Sequence, residues 1–275
     1  VSGLAHVPAA PLRPLVAHAY GYRAGPMPTG VHRGLPSGSL TLVVELARPM
    51  HVTGLASDVT AHAVVGGLHV APAFIDATGE QEGVQYALTP PAAHALLGVP
   101  AVELSGLTVD LADIIGPAAD VLVERLAAAA TWSERFAALD AALLHRLGDS
   151  LPRVPPEVAE AWRVLFATGG MVAVPDVARH VGWGRRHLTE RFRQSTGLTP
   201  KQAGRVARFQ AARSLLLLPA RPALAEVAVR CGYADQAHLA REWRAMAGCS
   251  VTTWVREELP FVQDAGAPGG RDSAP

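Results

Sequence analysis

The chain of 275 residues has a single lysine, Lys201, and only two cysteines, Cys231 and Cys249. Two thiols cannot build a disulfide framework or a four-thiolate zinc site, and small buried side chains are the plainer reading of both. No uncharged apolar run reaches the roughly 18 residues that a membrane-spanning helix needs. The opening VSGLAHVPAAPLRP has neither the basic start nor the apolar block of a signal peptide, so a cytoplasmic location without membrane contact is expected. Net charge is missing as well, since 24 basic residues balance 24 acidic ones. That balance hides a split. Residues 1–150 hold 7 Arg against 13 Asp and Glu, whereas residues 151–259 hold 16 Arg and Lys against 9 acids. Only the second half suits an anionic partner.

Hydrophobic residues make up 49% of the chain, enough at this length for two cores. From Pro8 to about Gly106, short apolar runs alternate with Gly and Pro: SLTLVVEL (39–46), HAVVGGLHVAPAFID (62–76) and GVQYALTP (83–90). This spacing predicts a small antiparallel sheet or barrel. Ile114, Ile115, Ala118, Leu122, Val123 and Leu126, then Phe136, Leu139, Leu143, Leu144 and Leu147, recur at helical spacing and predict two amphipathic helices within 112–147. GDSLPRVPP (148–156) is a Pro-rich break. The expected organisation is therefore α+β: a β-rich domain with two C-terminal helices over 1–150, an all-α domain over 151–260, and a disordered tail over 261–275.

The all-α half contains one pattern twice. In DVARHVGWGRRHLTERFRQSTG (176–197), Val177, Ala178 and Val181 form the apolar stripe of a short helix, Gly182 permits a tight turn, and a second helix opens near Arg185. This is the order of a helix-turn-helix. Leu188 and Phe192 lie one turn apart on the buried face, which leaves Arg185, Arg186, Thr189, Glu190 and Arg193 facing outward. Such a row suits the major groove, where Arg can donate two bonds to guanine and Glu can accept from cytosine. EVAVRCGYADQAHLAREWRAMAG (226–248) repeats every part, with Val227 and Ala228, the turn at Gly232, and Leu239 and Trp243 buried. Its turn is one residue longer, and its outward row is Gln236, Ala237, Ala240, Arg241 and Arg244. Two alanines can meet only a thymine methyl, so the second module is expected to read bases less strictly.

Between the copies, Thr199, Pro200 and Gln202 open a helix with a capping box, and the helix should stop before Pro219. Val206, Phe209, Leu216 and Leu217 should face the modules, with Arg205 and Arg208 available to phosphates. Residues 155–257 resemble the AraC/XylS family of bacterial transcription regulators, on HLTERFRQSTGLTP and especially on GYADQAHLAREWRAMAG. The resemblance places base contacts at Arg185, Arg186, Thr189 and Glu190, and at Gln236, Ala237, Ala240 and Arg241. It departs at Gly184, where Ser is usual, at Glu190, where a basic residue is common, and at Val251, where Pro is expected. The N-terminal half more loosely resembles the β-rich, cupin-like sensor domains that precede such modules. The resemblance implies a regulator that binds double-stranded DNA, with RNA polymerase, a small-molecule effector and a second copy of the chain, paired through 112–147, as further partners.

A metal-dependent cupin enzyme would place two His as H-x-H on one strand with a carboxylate beyond. His32, His51, His62, His69 and His94 are scattered instead, so neither a metal nor a cofactor is expected, and no catalytic residue. An amidase-like sensor would need a nucleophilic cysteine, and residues 1–150 have none. A regulator whose first half is only a scaffold remains open. His187 and His238 are expected to pack at helix edges, and the five tryptophans to anchor cores. Arg23, Arg33 and Arg48 could hold an anionic effector or be solvated surface charge, and the effector's binding residues are unknown.

Overall fold

The computed structural model describes residues 2–147 and 154–258. The expected domain boundary near 150 and the expected tail over 261–275 lie outside the described residues.

The first part is built on ten strands: β1 (Ser2–His6), β2 (Val16–Ala24), β3 (Val31–Gly34), β4 (Leu40–Glu45), β5 (Met50–Thr53), β6 (Val59–Ala61), β7 (Ala63–Gly66), β8 (Ala73–Asp76), β9 (Gln81–Leu88) and β10 (Thr108–Asp110). They form a six-stranded sheet in the order β1-β2-β9-β4-β7-β10 and a four-stranded sheet in the order β3-β8-β5-β6, with antiparallel pairing. The apolar run 62–76 divides between the two sheets, as β7 and β8. Gly67 lies at the break, where a Cβ would run into the Leu104 carbonyl.

Strand β4 shows why two layers form. Leu40, Leu42 and Val44 point one way into the main core with Val84, Tyr86 and Leu88, while Val43 points the other way and meets Met50 and Val52 of the second sheet. A strand buried on both faces reads as a continuous apolar run, which is how LTLVVEL is written. The main core is closed by α3 (Ala118–Ala128) and α4 (Trp132–Arg146), through Leu122, Leu126, Phe136, Leu139 and Leu143. Asp140 on α4 pins the sheet by accepting from the Tyr86 hydroxyl at 2.7 Å and the Ala9 amide at 2.7 Å.

Two short helices precede these, α1 (Pro90–Ala92) and α2 (Leu111–Ile115). The region expected to hold two helices thus holds three. The physical cause is Gly116-Pro117: Gly116 adopts φ +64, and a proline disfavours helical backbone in the residue before it.

The second part is helical: α5 (Pro156–Ala167), α6 (Val174–His180), α7 (Arg185–Thr196), α8 (Pro200–Leu216), α9 (Leu224–Arg230), α10 (Gln236–Ala247) and α11 (Val251–Glu257). Helix α8 begins with the expected box, Thr199 and Gln202 capping each other. It serves two cores. Ala203 belongs to a first cluster with Leu165, Val177, Leu188 and Phe192, whereas Val206, Phe209, Ala212 and Leu216 belong to a second with Val227, Leu239, Trp243 and Trp254.

Candidate nucleic-acid interface

Each module is α6-turn-α7 or α9-turn-α10, and the two turns close alike. Gly182 takes φ +74 and Gly232 φ +71, backbone that a side chain would strain. The next amide then reaches back into the first helix, Trp183 to the Ala178 carbonyl and Tyr233 to the Ala228 carbonyl, both at 2.9 Å. Val177, Ala178, Leu188 and Phe192 are buried in module one, as are Val227, Ala228, Leu239 and Trp243 in module two. His187 packs edge-on against Trp183 and His238 against Tyr233, at 4.6 and 5.3 Å between ring centres, the helix-edge packing expected of both.

This burial fixes what faces outward. Arg185, Arg186, Glu190 and Arg193 are exposed on α7, as are Gln236, Ala237, Ala240, Arg241 and Arg244 on α10. Thr189 is half-buried and donates its hydroxyl to the Arg185 carbonyl at 2.8 Å. Among the described residues, none of Arg185, Arg186, Arg193, Arg241 and Arg244 has a carboxylate within ion-pair distance. Nearby exposed arginines do: Arg163 with Glu160, Arg179 with Asp176, and Arg230 with Glu226. The outward rows therefore carry unneutralised positive charge on two matched helices, the arrangement that phosphates and guanine edges attract.

Helix starts differ. Asp235 caps α10 by accepting from the His238 amide at 2.6 Å, whereas Gly184 gives α7 no side-chain cap. The extra residue in the second turn makes room for Asp235.

Arg205 and Arg208 are not free for phosphates as expected. Arg205 holds Glu242 of α10 with two bonds, Nε to Oε2 at 2.7 Å and Nη2 to Oε1 at 3.0 Å. Arg208 donates to the Gly170 carbonyl at 3.0 Å and lies over the Tyr233 ring. Both sit on α8 where it passes between the modules, so protein groups reach them first.

The β-rich part touches both recognition helices at the same place. Gly197 and Gly248 are their C-caps. A Cβ on Gly197 would collide with Ser105, and one on Gly248 would stand 3.1 Å from Pro72 and 3.3 Å from Phe74. Leu198 is buried in the core of the β-rich part. At the far end, Arg33 on β3 pairs with Glu257 and Glu258, each at 3.0 Å, and His32 meets Glu258 at 2.7 Å.

A cavity of about 720 Å³ opens between the two sheets and is closed by α8 and α11. Its wall includes Val43, Met50 and Ile75 on the apolar side and Tyr20, Gln85 and Arg213 on the polar side. Arg213 comes from α8, on the DNA-binding side. Its Nε is buried with no hydrogen-bond partner among the described residues, and burial pushes its pKa down. Burial raises the Tyr20 hydroxyl to about 12 and, with the Arg213 charge, lowers His18. Arg23, Arg33 and Arg48, the arginines singled out from sequence, are instead paired with Glu82, with Glu257 and Glu258, and with Asp76. The signal missed was Arg213 itself, which continues the stripe Val206, Phe209, Leu216 as a charge on a buried face. Among the described residues no group of three or more His, Cys, Asp or Glu is placed to hold a metal ion, and no helix is long and apolar enough to cross a membrane.

Residues 177–257 match a family model described as a helix-turn-helix domain, and residues 4–110 match a domain of unknown function, DUF6597. No curated protein matches the chain. Among solved structures, ToxT from Vibrio cholerae is similar in fold, with 9% identity over 87% of this chain and 97% of its own and a TM-score of 0.52. ToxT of strain SCE256 with an unsaturated fatty acid bound has 9% identity over 92% and 97%, with a TM-score of 0.53. ToxT bound to (E)-4-(8-methylnaphthalen-1-yl)but-3-enoic acid has 8% identity over 87% and 98%, with a TM-score of 0.51. With two helix-turn-helix modules on one linker helix, the matched domain over 177–257 is that of a DNA-binding transcription regulator of the AraC type, and the two-part fold around it is similar to that of ToxT.

Proposed function

We propose that this regulator selects its DNA by sequence, through the rows Arg185, Arg186, Thr189, Glu190, Arg193 and Gln236, Ala237, Ala240, Arg241, Arg244, and that an anionic small molecule in the inter-sheet cavity controls it. The observation that carries the DNA reading is the pair of matched helices whose outward arginines lack carboxylate partners among the described residues. The two rows would meet successive major-groove faces, about 34 Å apart on one side of a duplex. Selection of preferred duplexes from a random pool, followed by footprinting, tests this: two protected segments about one helical turn apart are expected. Uniform protection of unrelated sequences would sink it.

Arg213 supports the effector reading. A buried guanidinium Nε without an acceptor is costly, and a carboxylate or phosphate in the cavity would supply the missing acceptor. The apolar wall of Val43, Met50 and Ile75 suits a ligand with a hydrocarbon body, and ToxT binds ligands of that kind, an unsaturated fatty acid among them. Because Gln210, Arg213, Ser214, Leu217, Trp254 and Glu258 belong to the helical part and the rest of the wall to the β-rich part, an occupant would bind both parts at once. Two chains would pair through 112–147. Helix α3 leaves Val121 exposed between Asp120 and Arg125, and sedimentation at several concentrations tests it.

A further inference from the structure

We propose that Arg208, backed by the Arg205–Glu242 pair, is the positioning residue that sets the distance between the two recognition helices, and thereby which half-site spacings the protein accepts. The proposal rests on the reading that both helices contact one duplex. Helix α8 leaves the core of module one at Ala203 and enters that of module two at Val206, with Gly204 between them. A helix with glycine at that point can bend, so something must brace the crossing. Three chain segments meet there. The turn before α6 rests on α8, because a Cβ on Gly170 would run into the Gly204 carbonyl. Met171 of the same turn covers Gly232 in the turn of module two, with Cγ 3.2 Å from where a Cβ would stand. Arg208 joins them: Nη2 donates to the carbonyl of Gly170, in the turn that leads into module one, at 3.0 Å, and its guanidinium carbon lies 5.6 Å from the centre of the Tyr233 ring of module two. Arg205 then ties α8 to α10, the second recognition helix, through Glu242 at 2.7 and 3.0 Å.

The lever is short, and the tolerance of DNA is small. Moving one recognition helix by about 3.4 Å along the duplex is one base-pair step. A brace that removes a few degrees of rocking at Gly204 therefore decides whether a neighbouring spacing can be bound.

The test uses the full chain and a preferred duplex selected from random sequence, together with versions carrying one or two base pairs more or fewer between the protected segments, and duplexes with one segment alone. The parent should lose about tenfold in affinity for a one-base-pair change, the scale of one mismatched contact. Arg208→Met and Arg205→Gln should bind single-segment duplexes like the parent but lose only about threefold when the spacing changes, and Arg205→Glu combined with Glu242→Arg should restore the parent's profile. The slope of log affinity against log salt should stay unchanged in Arg208→Met, whereas loss of a phosphate contact would lower it by about one. An unchanged spacing profile in variants that melt like the parent overturns the proposal, as does a reduced salt slope or a selected duplex with only one protected segment. If Arg208→Met does not fold, the Arg205 and Glu242 variants decide. No preferred duplex at all would overturn the sequence-reading function, and this proposal with it.

Discussion

At the scale of single residues, exposure and pairing separate arginines that have the same formula. Arg186 is exposed on α7 without a carboxylate partner among the described residues, so Arg186→Ala should weaken binding to the selected duplex by about 1–3 kcal/mol and hardly change binding to random DNA. Equal losses on both, measured by titration at fixed salt, would assign it to phosphate. Arg213 behaves differently: among the described residues its buried Nε has no hydrogen-bond partner, and its guanidinium lies over the Trp254 ring, 6.0 Å from the centre, rather than against a carboxylate. An acid bound at 100 times its dissociation constant should raise stability by about 2.7 kcal/mol, and Arg213→Met should abolish that gain. Without ligand the same variant should melt at or above the parent, since it replaces a cation whose buried Nε has no acceptor by an apolar chain. A ligand-free melting point well below the parent's would count against the cavity reading.

At the scale of elements, the two modules are copies with one difference at a helix start. Asp235 caps α10, and α7 has only Gly184. Asp235→Ala should cost about 1 kcal/mol, while Gly184→Ala removes no cap hydrogen bond and should cost less. Denaturant melts of both variants compare them directly. The modules were legible in the sequence because their parts are local. Apolar residues at helical spacing and a turn glycine all act within about twenty residues, so Val177, Gly182, Leu188 and Phe192 could be placed from the pattern alone. The β-rich half was legible only as strands. That 62–76 divides between two sheets depends on which strands pair, and β7 pairs with β4 and β10 whereas β8 pairs with β3 and β5.

At the scale of the whole molecule, the β-rich part grips both recognition helices at their C-caps, Ser105 at Gly197 and Pro72 with Phe74 at Gly248. His69 lies beside that second grip in sequence, lines the cavity, and bonds the Ala71 carbonyl. Burial lowers the His69 pKa below 6.5, more than the Ala71 bond raises it. A histidine depressed on folding contributes stability that is present above its unfolded value, near 6.5, and lost as pH falls below that value and through the lower folded one. His18 shifts in the same direction, through burial and then the charge of Arg213. The melting temperature should therefore fall between about pH 7.5 and 5.5, and His69→Gln should flatten part of that fall. A parent whose melting is constant over that range would refute the linkage.

The sequence by itself determined the two helix-turn-helix modules, their outward rows and the helix between them, because periodicity and glycine placement act over a few turns of chain. Tertiary structure alone decided that Arg205 and Arg208 serve the joint between modules, that Arg213 enters a cavity walled by the other half, and that Arg33 clasps Glu258, 225 residues away. The physical reason is distance along the chain. A guanidinium carries the same charge wherever it stands, and which acceptor it meets depends on segments brought together only when the cores close.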